Sequence, residues 1–240
     1  MNYEEFSTLF ARLCRQNGVL SLTKEQIDLF WRFTDHLLTV NQTTNLTAIR
    51  NVPDVISKHY VDSLMASELI PQGAKILDLG CGPGFPSIPL AIARPDLAVY
   101  ALDSTDKKIR FLNQSAELLG LKNLKGISGR AEDSRIRETL GSFDVVVSRA
   151  VARLNVLSEL CMPYVKTGGK LIAMKGAKGE EELAEAQNAI KILGGTAKKH
   201  VKQLIIDDIE EDRCLIEVSK VKETPKGYPR QYPAILKKPL

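Results

Sequence analysis

The sequence is poor in the residues that build metal centres, disulfide frameworks and membrane spans. It has only three histidines, far apart, and four cysteines with no CxxC pair. We therefore expect no metal site and no disulfides, but reduced thiols. No stretch reaches the ~18 apolar residues that a membrane span needs. The N-terminus, MNYEEFSTLF, is acidic where an export signal would be basic. These absences predict a cytoplasmic protein that does not enter membranes.

The C-terminal segment 224–240, TPKGYPRQYPAILKKPL, contains no acidic residue. It carries four of the 33 basic residues, and the rest of the chain has 29 of each sign. Its four prolines argue against a helix or a central strand there. A basic arm with tyrosines is typical of nucleic-acid binding, because cations pair with phosphates and rings stack on bases. A solvated tail is the alternative interpretation.

Residues 1–70 predict a helical lobe packed on a larger domain. Apolar residues recur at helical spacing in YEEFSTLFARLCRQNG and in SLTKEQIDLFWRFTDHLLTVNQ. Thr23 followed by Gln26 is a capping-box pattern, and Gly18 stands where the C-terminal cap of the first helix belongs.

From Lys75 onward, short apolar runs alternate with helical segments. This alternation predicts a parallel sheet with helices on both faces. The last two runs are joined by only a few residues, too few for a crossover helix, so they predict an antiparallel hairpin. Residues 71–223 thus predict an α/β, Rossmann-like domain with a seven-stranded, mostly parallel sheet whose last strand is antiparallel. This is the architecture of class I S-adenosylmethionine (SAM) methyltransferases. The runs are 75–79, 98–102, 124–127, 143–147, 170–174, 200–206 and 214–218.

A glycine-rich loop, GCGPGFP, follows the first predicted strand. Glycines let the backbone turn tightly and approach a ligand without a Cβ in the way. A nicotinamide or flavin site requires G-x-G-x-x-G, which places glycine at position 85, where Phe85 stands. Asp78 and the spacing of Gly80, Gly82 and Gly84 resemble a SAM-binding motif instead. Asp103 ends the next predicted strand and suits a ribose in either kind of site.

The residues after the fourth predicted strand, VVVSRAVARL, contain no Asn/Asp-Pro-Pro-Tyr/Phe motif of the kind that holds an amino group for methylation. Cys81 and Cys161 are expected to pack rather than to attack a base. Guanine N7 has an available lone pair and needs no general base, so positioning would suffice. The sequence therefore fits N7 chemistry.

Several motifs together resemble one family over nearly the whole chain. They are NLTAI (45–49), HYVDSL (59–64), DLGCGPGFPSIPLAI (78–92), LDSTDKKIRFL (102–112), GRAED (129–133), SRAVARL (148–154), MKG (174–176) and YPR (228–230). In this order they resemble the 16S ribosomal RNA guanine-N7 methyltransferase family known as RsmG or GidB. Cys81 and Pro83 replace smaller residues common in the family's loop, but every glycine is in place.

The resemblance implies SAM as the cofactor, and 16S rRNA or the small ribosomal subunit as the partner of a monomeric enzyme. The cofactor residues it implies are Asp78, Gly80, Gly82, Gly84, Phe85, Asp103, Ser104, Thr105, Ala131, Glu132 and Arg149. The catalytic candidates are Arg149, Lys175 and His59. The RNA-binding candidates are Arg153, Lys175, Arg230, Lys237 and Lys238.

Simpler interpretations stay open for several of these residues. Arg149 follows a central strand, so it faces the ligand crevice of such a sheet, unless it only pairs with a neighbouring acid. Glu132 could be a first-turn helix acid. Asn45 and Asp62 lie in family motifs near the expected acceptor site, but Asn and Asp also cap turns and helices.

Two other functions compete with RNA methylation. A small-molecule SAM methyltransferase would use the helical lobe as a lid. A non-catalytic protein would only bind RNA or SAM, because no residue is an obligatory chemical participant. A nicotinamide reductase is opposed by Phe85.

Overall fold

The structure, a computed structural model, describes residues 1–206 and 209–240 of the chain. Helices surround a central sheet. The longer helices are α1 Tyr3–Gln16, α2 Lys24–Thr44, α4 Ser87–Ala93, α5 Asp106–Leu119, α6 Ser134–Leu140, α7 Leu154–Cys161, α8 Gly179–Ile192 and α9 Tyr232–Lys237. Between α2 and α4, helix α3 has three consecutive parts: Val52–Asp54, a π-helical turn Val55–Val61, and Asp62–Leu64.

The sheet has seven strands in the order β3-β2-β1-β4-β5-β7-β6. β1 to β5 are parallel, whereas β7 runs antiparallel to both β5 and β6. The predicted mostly parallel sheet and its final hairpin are confirmed, although residues 207 and 208 of the connection lie outside the described part. The strands are β1 Lys75–Leu79, β2 Ala98–Asp103, β3 Leu124–Ser128, β4 Phe143–Arg149, β5 Val165–Lys175, β6 Gly195–Ile206 and β7 Ile209–Lys220.

Strand β1 lies between β2 and β4, and the chain order reverses at this point. In open parallel sheets, ligands bind in the crevice at the carboxyl ends of the strands beside such a reversal. The topology therefore brings together the loop after β1 and the ends of β2, β3 and β4.

The helix-terminal signals in the N-terminal segment are confirmed. Thr23 Oγ1 accepts from the Gln26 amide at 3.3 Å, and Gln26 Oε1 accepts from the Thr23 amide at 2.9 Å. Gly18 follows α1 with φ +60°, and the Val19 amide donates to the Cys14 carbonyl at 3.1 Å. At the start of α2 and at the end of α1, these hydrogen bonds satisfy backbone groups that have no partner within the helix.

The N-terminal helices share a hydrophobic core with one face of the sheet. Tyr60 of α3 packs on Phe30 of α2 with ring centroids 4.8 Å apart, and Phe33 lies 5.9 Å from Phe85 in the loop after β1. All four rings are almost completely buried. Aromatic packing of this kind fixes the angle between elements, so it fixes α3 beside the glycine loop.

The C-terminal segment contains a helix, and the expectation that its prolines exclude one is wrong. Pro233 lies in the first turn of α9, where its missing N–H would have had no helical partner. Ile235 is fully buried, and Arg137 Nη1 donates to the Tyr228 carbonyl at 2.8 Å. The segment is therefore packed against the domain.

Candidate cofactor and acceptor site

The glycine loop turns sharply above the end of β1. The Gly80 amide donates to the Leu102 carbonyl at 2.7 Å, and Gly80 has φ +78°. A Cβ on Gly80 would lie 2.3 Å from Cγ2 of Val151. Gly82 also has a positive φ, but a Cβ there would face open space, with nothing within 4 Å. A Cβ on Gly84 would lie 2.5 Å from Cδ1 of Ile88. The loop thus needs glycine for its backbone shape and for close packing.

Asp103 ties the loop to the end of β2. One carboxylate oxygen accepts from the Gly82 amide at 3.0 Å, and the other accepts from the Thr105 amide at 2.7 Å. Each oxygen keeps a second lone pair, so the carboxylate can still accept from ribose hydroxyls. Ser104 and Thr105 line the cavity beside it.

Asp78 is completely buried beneath the loop. Its Oδ2 accepts from the Ser87 amide at 2.9 Å, but its Oδ1 has no hydrogen-bond partner in the described parts of the chain. Burial raises the pKa of Asp78 to about 7, against smaller effects of Ser87 and Arg149. A buried carboxylate oxygen without a partner is suited to a cationic ligand group.

A cavity of about 480 Å³ opens above these residues. Its walls are the glycine loop, the residues after β2 and β3, and the end of β4. Ala131 and Glu132 line it, and the Tyr164 hydroxyl fixes this edge by donating to the Ala131 carbonyl at 2.8 Å. Glu132 precedes α6, so it is not a first-turn helix acid. The lining residues include Gly80, Gly82, Phe85, Asp103, Ser104, Thr105, Ala131, Glu132, Arg149 and Tyr232.

The cavity fits SAM in size and in chemistry. Its volume lies within the range of cofactor sites. Asp103 can hold ribose hydroxyls, and Gly82 leaves room for close approach of the backbone. Two of the expected cofactor residues, Asp78 and Gly84, do not line the cavity. The unpartnered oxygen of Asp78 lies beneath the loop, where its charge favours a cationic ligand group above.

Arg149, the last residue of β4, lies at the border of this cavity. Its Nη1 donates to the Lys58 carbonyl at 2.8 Å and to Asp62 Oδ2 at 2.8 Å. The other oxygen of Asp62 accepts from Arg213 Nε at 2.7 Å. Asp62 therefore holds two arginines, and the ion-pair interpretation of Arg149 is correct alongside its position in the crevice.

His59 lies between Arg149 and Phe85. Its ring stacks on Phe85 with centroids 4.1 Å apart, and Arg149 Nη2 lies 3.1 Å from Nδ1. Since arginine can only donate, Nδ1 accepts, and Nε2–H donates to Thr47 Oγ1 at 2.9 Å. Burial and then the charge of Arg149 lower the pKa of His59 to about 3. The imidazole is therefore neutral at physiological pH.

A second cavity, of about 450 Å³, adjoins the first at Arg149, Ala150 and Val151. Lys175 and Arg213 are also among its lining residues. Lys175 is the last residue of β5, and its side chain is buried. It pairs with Glu182 at 2.7 Å and donates to the Ala152 carbonyl. Lys175, a catalytic and RNA-binding candidate, is thus a buried residue whose ammonium group is already paired.

The other RNA-binding candidates differ in their surroundings. Arg153 is exposed and pairs with Glu185 at 2.6 Å. Arg230 makes a bidentate pair with the buried Glu159, so its guanidinium is already occupied. Lys237 and Lys238 are exposed on and just after α9. Of the five RNA-binding candidates, Arg153, Lys237 and Lys238 are therefore the exposed ones.

Asn45 lies outside both cavities. It is exposed and ends α2 with φ +50°. The residue that shapes this segment is Asn41, whose Oδ1 accepts from the Leu46 and Thr47 amides at 2.7 and 3.0 Å.

Sequence reasoning missed three residues of the site: Arg213, Thr47 and Tyr232. Thr47 lies within the NLTAI motif and Tyr232 follows YPR, so the motifs pointed to their neighbourhood. Arg213 lies on β7 without a local signal, because its partner Asp62 is 151 positions away. Within 1–206 and 209–240 no cluster of three or more possible metal ligands occurs. No helix in these residues is long and apolar enough to span a membrane.

Comparison with known proteins places the chain in a family. The sequence model of GidB, described as rRNA small subunit methyltransferase G, matches residues 26–209. A protein of Lachnoclostridium phytofermentans named ribosomal RNA small subunit methyltransferase G is 47% identical over 224 residues, which are 92% of each chain. A protein of that name from Lactobacillus acidophilus is 42% identical over the full length of both chains.

Among solved structures, an O-methyltransferase from Bacillus cereus in complex with SAH shares the fold. Its TM-score is 0.58 at 18% identity, over 91% of this chain and 100% of that chain. A precorrin-6y C5,15-methyltransferase from Geobacter metallireducens gives 0.52 at 15% identity, over 74% and 91%. The predicted class I SAM methyltransferase fold is confirmed. The chain therefore belongs to the rRNA small subunit methyltransferase G (GidB) family, whose cofactor is SAM.

Proposed function

We propose that this protein transfers the methyl group of SAM to N7 of one guanine in 16S rRNA of the small ribosomal subunit. The observation that carries the proposal is the position of Arg149 between the cofactor cavity and the adjoining second cavity. The relatives named above, similar along nearly their whole length, support RNA as the substrate class.

The residues around the two cavities favour an acceptor that needs no proton removed. When bound, SAM supplies an electrophilic methyl group on a sulfonium. The neutral His59 uses Nδ1 to accept from Arg149. Burial raises the pKa of Cys81 well above its ordinary value, so it is a poor nucleophile. Guanine N7 carries a lone pair and no proton, so alignment can supply most of the rate.

Arg149 is suited to orient the guanine. Its hydrogen bonds to Lys58, Asp62 and His59 use three of its five N–H donors. The remaining two, on Nε and Nη2, can donate to the guanine O6 or to a phosphate. The guanidinium also lies 5.6 Å from the Phe85 ring centroid, which restrains its orientation.

The exposed Lys237 and Lys238 would then contact the RNA backbone outside the site. Phosphate contacts of this kind make affinity fall with salt. RNA is read mainly at unpaired bases, so the target guanine would be unstacked when it enters the second cavity.

The test measures transfer of labelled methyl from SAM to unmethylated small subunits, with naked 16S RNA and large subunits as controls. We expect label in small-subunit RNA and a rate that falls with salt and with the double change Lys237→Ala/Lys238→Ala. Asp106→Asn, an exposed change on α5, is the variant expected to keep full activity. Turnover of a small molecule that ignores salt and survives deletion of 224–240 would instead support the small-molecule alternative. SAM binding without transfer to any acceptor would support the non-catalytic one.

A further inference from the structure

Tyr232, the first residue of α9, borders two openings. It lines the cofactor cavity together with Ala131 and Glu132. It also lines an outer groove of about 890 Å³ with Arg130 and Glu132. The tail thus closes the cofactor cavity on the side beyond β3.

This side is where the base of the cofactor belongs. Asp103 ends β2 and can hold the ribose. The next strand outward in the sheet is β3, so the base beyond the ribose lies toward the end of β3. Tyr232 stands at that end and offers an aromatic ring to a flat heterocycle.

An ion pair fixes the tail beside the cavity. Arg230 donates to Glu159 from Nε at 2.8 Å, from Nη2 at 2.6 Å and from its backbone amide at 2.9 Å. Glu159 lies on α7 and is fully buried. Its neighbour Leu160 lines the cofactor cavity, as does Tyr232, two residues beyond Arg230. The pair therefore joins α7 to the tail directly behind two wall residues.

We propose that the C-terminal tail is a wall of the cofactor site, in which Tyr232 contacts the base of bound SAM and the Arg230–Glu159 pair positions Tyr232. This assigns Arg230 to cofactor binding through Tyr232, in place of the RNA contact expected from the sequence. The inference rests on SAM as the cofactor of the family and does not depend on the RNA substrate.

The test is calorimetric titration of the full-length protein with SAH, which needs no RNA. Tyr232→Ala and Arg230→Ala should each weaken SAH binding by about tenfold, the effect of losing one aromatic contact and its shielded area. In the double variant the loss should stay about tenfold, because both changes remove the same contact. Lys226→Ala, an exposed change in the same tail with the same loss of charge as Arg230→Ala, should bind SAH as the wild type does.

Arg230→Ala leaves the buried carboxylate of Glu159 unpaired, which is destabilising. The double change Glu159→Gln/Arg230→Gln removes both charges and is measured beside it, with the melting temperature of each ligand-free variant. An unchanged SAH dissociation constant in folded Tyr232→Ala protein overturns the proposal. Additive losses in Tyr232→Ala/Arg230→Ala overturn the positioning role of Arg230.

Discussion

Asp62 and Arg149, 87 positions apart, form a partly buried ion pair with Oδ2 and Nη1 2.8 Å apart. The second oxygen of the same carboxylate accepts from Arg213 at 2.7 Å. One acid thus fixes two cations from β4 and β7, and it does so from α3. Arg213 also pairs with Glu211 at 2.9 Å, so the charges of these four side chains balance. The cluster therefore fixes the position of Arg149 rather than supplying an excess of positive charge.

Replacing Asp62 by Asn should separate catalysis from cofactor binding. Asn keeps one acceptor oxygen but leaves the two arginines repelling each other, so Arg149 loses its fixed orientation. We expect kcat/KM for the RNA to fall by roughly a hundredfold, with SAH affinity changed by less than about fivefold. The free energy of unfolding should fall by about 3 kcal/mol.

The matched control is Asp106→Asn. Asp106 pairs with Arg110 at 2.8 Å, but both side chains are more than 60% exposed. Exposed pairs contribute less than about 1 kcal/mol, so this variant should keep its stability and activity. Equal losses in the two variants would contradict the role given to Asp62.

The strand pattern, the loop and the helix caps could be predicted because they are local. Thr23 and Gln26 are three positions apart, and GCGPGFP is one continuous stretch. The pairing of Asp62 with Arg213 could not be predicted, since β7 comes near α3 only in the folded protein. The same holds for Arg230, whose partner Glu159 reads in sequence as an ordinary helix residue.

The tail helix was missed for a different reason. Four prolines in a short segment count against helix only where they interrupt its interior, and Pro233 occupies the first turn. The buried Ile235 then supplies the tertiary packing that a six-residue helix needs.

Comparing alanine substitutions at Gly82 and Gly73 tests whether the glycine loop binds the cofactor. Both have positive φ, and at both a Cβ would meet nothing within 4 Å. Alanine in the left-handed region costs about 1 kcal/mol, so Gly82→Ala and Gly73→Ala should lose similar stability in urea unfolding. Only Gly82→Ala should weaken SAH binding, because only Gly82 lines the cofactor cavity. Normal SAH binding by Gly82→Ala would contradict this assignment.

Asp78 should make the ligand-free protein less stable as pH rises. The folded state holds the proton of Asp78 up to a pKa of about 7, whereas the ordinary value is 3.8. The free energy of unfolding therefore falls between pH 3.8 and 7. Asp78→Asn should remove this loss. The stability of the variant relative to the wild type should therefore be greater at pH 8 than at pH 5, by on the order of 2–3 kcal/mol.

The same substitution should weaken SAH binding, because the buried negative charge is lost. Thermal unfolding at both pH values and one SAH titration measure the two effects. If the wild type and Asp78→Asn lose the same stability between pH 5 and pH 8, the pKa of Asp78 is not raised by burial.

His59 should make the ligand-free protein less stable as pH falls, the opposite of the effect of Asp78. Its pKa falls from 6.5 to about 3 on folding, so between these values only the unfolded state takes up the proton. The free energy of unfolding should fall as pH decreases through this window, by about 2 kcal/mol from pH 7 to pH 5. His59→Asn should flatten the dependence. Wild-type and variant curves with equal slopes would refute a neutral His59.

The central claim is transfer to guanine N7 beside Arg149, and chemical strand scission at N7-methylguanine tests it most directly. RNA from small subunits treated with SAM and wild-type protein should be cut at one guanine. The cut should disappear with Arg149→Ala and persist with Asp106→Asn. Methyl label in the RNA without scission would contradict the N7 assignment, and scission undiminished by Arg149→Ala would contradict the site.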